Sequence, residues 1–170
     1  MQKKIHTPIL ASAHLADSEL PELSELEFSL SLVSQAYNRW IVRCAAAAGA
    51  QLSPLEVLIL HAVRHRDKPK RFMDILLILQ IEDAHLANYA VGKLLKAKMV
   101  EVEKAGKEKI VGISDEGRQW CDAYRDIREH LLVEILAESA ISAEQLTVAA
   151  RQMHLLAGHY NQASRAAATM

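Results

Sequence analysis

Between Ser53 and Gly117 the sequence reads, in order, as helix, helix, helix, strand, turn, strand and helix start, and that order constrains the fold more than any other feature. A capping box, Ser53-Pro54-Leu55-Glu56, opens the first helix, because serine and glutamate three residues apart can each satisfy the other's free backbone N–H. Two further short apolar helices follow. A ribbon then forms from Val100-Glu101-Val102-Glu103 and Lys109-Ile110-Val111-Gly112-Ile113, closed by a basic turn that contains Gly106. Three helices followed by a hairpin are the layout of a winged helix-turn-helix, which can place one helix in the major groove of DNA.

Charge follows the same division. The net charge is only −1, yet residues 61–110 hold 11 Lys/Arg against 7 Asp/Glu, while both flanks are acidic. A nucleic-acid reader needs such a local patch more than a high overall pI. The chain of 170 residues, 51% hydrophobic and 24% charged, is long enough to bury one core without staples. Two cysteines, Cys44 and Cys121, no apolar signal segment and no membrane-length apolar run point to the reducing cytoplasm.

The flanks read as helices. Residues 1–22 form an arm interrupted by Pro8 and Pro21. From Ser24, a second S-x-x-E box, apolar residues recur at Leu26, Leu30, Val33, Tyr37, Trp40, Ile41 and Cys44, one face of a long helix over 24–48 that stops at Gly49. Ser114 caps another helix, with Trp120, Tyr124, Ile127, Leu131 and Ile135 on one side. Ser142-Ala143-Glu144-Gln145 opens the last helix, whose apolar face runs from Leu146 to Tyr160. The reading is one mostly α domain over 23–170, with a winged helix-turn-helix at 53–114, a two-stranded wing, and long N- and C-terminal helices.

The helix of about 84–97 buries Ala87, Ala90, Val91, Leu94 and Leu95, with Asp83 as its N-cap. Its other side carries His85, Asn88, Tyr89 and Lys93, residues that can meet base edges or phosphates. Lys104, Lys107 and Lys109 suit a wing that contacts phosphate without reading sequence. The turn from Arg64 to Arg71 is rich in cations, and Arg64, Arg66, Lys68, Lys70 and Arg71, the last a candidate DNA contact, could clamp the backbone on the flank of the groove; a solvated polar turn is the competing reading. Tyr37, Trp40 and Trp120 are aromatic candidates for a small-ligand crevice, against ordinary core packing. His61 and His65 stand at i, i+4, but no Cys or Glu at a matching spacing completes a metal site. No phosphate loop, nucleophile elbow or acid pair supports catalysis, so neither an enzyme nor a cofactor is expected.

Leu94-Leu95-Lys96-Ala97-Lys98-Met99-Val100, then the ribbon, then Ile113-Ser114-Asp115-Glu116-Gly117-Arg118, resembles the MarR family of bacterial transcriptional regulators. There the recognition helix commonly ends in a Leu-x-x-x-Gly-Leu-Val stretch, and Leu-Thr-x-x-Gly follows the wing. The resemblance spans about residues 25–163 and implies that the helices at 24–48 and 115–163 form a homodimer. It further implies a sequence-specific DNA-binding regulator, a repressor, with double-stranded DNA and a small effector as partners. Lys98 stands where the family commonly has Gly, and the wing lacks its Asp-x-Arg-Arg pattern. Those departures, with Glu82 and Asp83 at the start of the reading helix, favour an alternative: a winged-helix dimer that serves as a protein-interaction module without DNA binding.

Overall fold

A computed structural model of the chain describes residues 13–170, with side chains from His14 onward. Most of the expected arm at 1–22 therefore lies outside the described residues; what is described of it is one helical turn, α1 (Ala13–Ala16), and the first residues of α2. Two compact units are present, divided between Tyr124 and Arg125.

In the first unit, α2 (Pro21–Ala47) begins three residues before the expected Ser24. The reason is Pro21, which fits the first helical position because its missing N–H would be unpaired there anyway. Ser24 does not cap; its hydroxyl donates to the Leu15 carbonyl at 2.6 Å, and the side chain is buried. Only Ile41, Cys44 and Ala45 of the α2 apolar residues are buried with it. The helix stops at Gly49 in the left-handed region, φ 101°, where Ala50 N–H reaches back to the Ala45 carbonyl and Gly49 N–H to that of Ala46.

α3 (Pro54–Arg64) carries the expected capping box: Glu56 N–H donates to Ser53 Oγ at 3.4 Å and Ser53 N–H to Glu56 Oε2 at 2.9 Å. Val57, Ile59, Leu60 and Val63 are buried, and α3 packs on both α4 (Phe72–Leu79) and α5 (Ala84–Lys96). One turn of 3₁₀ helix, His65–Asp67, and a two-residue strand β1 (Lys70–Arg71) link α3 to α4. The Lys70 ammonium holds that link by donating to the carbonyls of His65 at 2.7 Å and Lys68 at 3.1 Å.

The wing is the hairpin β2 (Val100–Ala105) and β3 (Glu108–Ile113), in register from Val100 opposite Ile113 to Ala105 opposite Glu108. The strands are one or two residues longer than the sequence suggests, and β1 adds a third strand on the free edge of β3. Gly106, φ 65°, supplies the positive φ that the two-residue turn requires.

Lys98, which follows α5 where the resemblance would place a glycine, adopts the backbone that glycine would, φ 58°. Met99 N–H closes on the Leu94 carbonyl and Lys98 N–H on that of Leu95, and Gln80 ends α4 in the same way. A side chain in this region costs about 1–2 kcal/mol per residue. Fixation of the same turn comes from Ser114, whose hydroxyl donates to the Lys98 carbonyl at 2.6 Å and accepts from Gly117 N–H at 3.0 Å. Gly117 is required by contact: a Cβ there would stand 2.1 Å from the Met99 carbonyl oxygen. The end of the wing is thus stitched to the end of α5.

α6 (Asp115–Arg128) passes into a π-helical turn, Glu129–Val133, and then α7 (Glu134–Ala137). In the second unit α8 (Ala143–Ala167) opens with the expected box, Ser142 and Gln145 exchanging bonds at 3.1 and 2.8 Å. Its apolar face is not buried within the chain. No helix among the described residues is long and apolar enough to cross a membrane.

Candidate nucleic-acid interface

α5 owes its place to one buried stripe and one cap. Ala87, Ala90, Val91 and Leu94 are buried at helical spacing, while Leu95, expected in the same stripe, is 46% exposed. The Asp83 carboxylate accepts from His85 N–H at 2.9 Å and Leu86 N–H at 3.0 Å. That acid therefore closes the helix start and offsets its dipole there. With the stripe turned inward, His85, Asn88 and Tyr89 project from the N-terminal half of the helix, and Tyr89 is 68% exposed. This is the part of a recognition helix that meets base edges.

The wing touches the same helix. Lys109 Nζ on β3 donates to Asn88 Oδ1 at 2.7 Å and stands 5.0 Å above the Phe72 ring. Partial burial lowers its pKa from the ordinary lysine value. Lys104 and Lys107 are exposed at the hairpin tip with no hydrogen-bond or ion-pair partner among the described residues. Their charge is available to an anionic partner.

Two other expected DNA-binding cations are held by acids. Lys93 Nζ lies 2.5 Å from Glu56 Oε1, and that hydrogen bond raises its pKa. Arg71 grips Asp74 through two hydrogen bonds of 2.9 Å and reaches Glu108 at 3.3 Å. Its pKa is raised, first by the bond to Asp74. Along the preceding turn, Arg64 and Arg118 converge on Asp67, so Arg64 is paired there. Neither Glu56 nor Asp67 stood out in the sequence as the partner of a cation, because the pairings join residues that lie 37 and 51 positions apart or sit across a turn.

The aromatic candidates separate. Trp120 is 5% exposed and packs against Tyr124, ring centroids 5.3 Å apart, and against His61 at 5.9 Å. Its Nε1 is buried without an acceptor among the described residues. Tyr37 is 52% exposed and Trp40 half-buried, both on α2. His61, half-buried in the aromatic cluster, has its pKa lowered by desolvation. No group of three or more His, Cys, Asp or Glu positioned to hold a metal occurs among the described residues. Cys44 and Cys121 are both buried, and burial pushes the Cys121 thiol up to about 11.

Residues 52–117 match a family model described as a winged helix DNA-binding domain. The chain is similar in structure to MarR of Staphylococcus aureus, solved in complex with salicylate and kanamycin, at 16% identity and TM-score 0.67, covering 89% of this chain and 99% of that one. It is similar to the transcriptional regulator BldR of Sulfolobus solfataricus at 19% identity and TM-score 0.66, covering 80% and 96%. A MarR transcriptional regulator of Methanosarcina mazei Go1 superposes at 13% identity and TM-score 0.64, covering 80% and 90%. No curated protein sequence gives a significant match.

Proposed function

From a chain that has the winged-helix fold of MarR transcriptional regulators, we propose a homodimeric, sequence-specific DNA-binding regulator that represses transcription and is released by a small ligand. One observation carries this reading: His85, Asn88 and Tyr89 stand exposed on the leading half of α5, beside a wing whose Lys104 and Lys107 are unpaired. Base edges are read from the helix, and phosphates are met by the wing. In a dimer the two helices enter successive major grooves when held about 34–36 Å apart. A ligand that favours another separation lowers affinity by shifting the population. The salicylate and kanamycin in the Staphylococcus aureus structure support a small-molecule effector. Tyr37 and Trp40 are better placed for one than the buried Trp120.

A second reading, the interaction module without DNA binding, draws support from α4. Met73, Leu77 and Ile78 are 68%, 78% and 59% exposed there, and nearby Arg71 is committed to Asp74 and Glu108. A filter-binding titration against genomic fragments at two salt concentrations separates the two. Retention of specific fragments, weakening as salt rises, supports the regulator; no retention even at low salt supports the module.

A further inference from the structure

The bond between the wing and the recognition helix fixes which half of the Asn88 amide faces outward. An ammonium has three donors and no lone pair, so Lys109 at 2.7 Å can meet only the amide oxygen. The reverse orientation would set two donors against each other, so the network itself assigns the amide. Lys109 is in turn anchored over Phe72 and cross-strand from Lys104, while the neighbouring acid Glu108 is occupied by Arg71. Among the described residues, no other hydrogen bond reaches Asn88 Oδ1.

The consequence concerns base choice. An asparagine reads adenine with both ends, the oxygen accepting from N6 and the amide nitrogen donating to N7. Here Lys109 takes one lone pair of Oδ1, and an adenine amino group that used the other would bring its hydrogens beside the ammonium charge. Guanine instead offers two acceptors, N7 and O6, to the Asn88 amide nitrogen and the remaining ammonium hydrogens. We infer that Asn88 and Lys109 act as one donor-rich, cationic unit that selects guanine over adenine at the base pair Asn88 faces. The inference rests on the DNA-binding reading of α5.

The test is selection from randomised duplexes by the full-length wild type, Asn88→Ala and Lys109→Met. Alanine suits the exposed helix position, and methionine preserves the packing on Phe72 while freeing the Asn88 oxygen. Wild-type sites should carry guanine at the position whose preference Asn88→Ala relaxes, by about tenfold over adenine. Lys109→Met should move that position toward adenine. Adenine in the wild-type sites, no position relaxed by Asn88→Ala, or an unchanged preference in Lys109→Met would each overturn the inference while leaving DNA binding intact. Failure of the wild type to enrich any duplex would instead defeat the DNA-binding reading and the inference with it.

Discussion

Lys93 on α5 and Glu56 on α3 form an ion pair at 2.5 Å, with the carboxylate side chain only 3% exposed. The same carboxylate receives Ser53 N–H, so one buried acid both caps α3 and ties α5 to it. A cation that the sequence offers to DNA phosphate is spent on setting the pose of the helix that carries the proposed readers His85, Asn88 and Tyr89.

Glu56→Ala removes the cap acceptor and leaves a void, and should destabilise the protein by about 2–4 kcal/mol in urea unfolding. Glu56→Gln, which can still accept from Ser53, should cost less, because only the charge is lost. An alanine variant with an unchanged unfolding midpoint would show that the pair holds nothing.

The salt dependence of DNA binding should distinguish the two kinds of lysine. Lys107→Ala should reduce the slope by about one charge and weaken all sequences alike. Lys93→Met should leave the slope unchanged, since its ammonium is already neutralised by Glu56. Equal flattening in both variants would contradict that assignment.

These pairings mark where the sequence stops being legible. Local signals carried well: the boxes at Ser53 and Ser142 and the cap at Asp83 are all formed by residues within three positions of each other. Ser24 misled for a local reason too, since Pro21 starts the helix earlier and frees the serine to bond Leu15. β1 was invisible because two residues become a strand only when β3 is beside them. The partners of Lys93 and Asn88, and the second acid of Arg71, Glu108, depend on how helices and wing pack, which no spacing along the chain encodes. Lys98 shows the opposite case: the turn survived loss of glycine because Ser114 and Gly117 hold it from outside.

Assembly follows from what stays exposed. Leu30, Val33 and Tyr37 on α2 are 41%, 55% and 52% exposed, and Leu146 and Met153 on α8 are 49% and 48% exposed. Apolar residues repeated along helix faces in this way mark an interaction surface. Light scattering at micromolar concentration should give twice the 18.9 kDa of the chain, and Leu30→Glu with Val33→Glu should return it toward one copy. A wild-type monomer would refute the dimer.

The thiols should be inert. With Cys44 and Cys121 buried and the Cys121 pKa near 11, neither is a thiolate-bearing surface group at pH 8. A thiol reagent should label neither until denaturant unfolds the protein. Rapid labelling of the native protein would point to a redox-sensing role instead.

The central claim, that α5 reads DNA sequence, is tested most directly by the affinities of wild type and Asn88→Ala for the best selected duplex and for an unrelated one at one fixed salt concentration. Asn88→Ala should lose about 1–3 kcal/mol on the best site and almost nothing on the unrelated duplex, so that the specificity ratio collapses. Equal affinity of the two proteins for both duplexes, or no binding by the wild type even at low salt, would contradict the account.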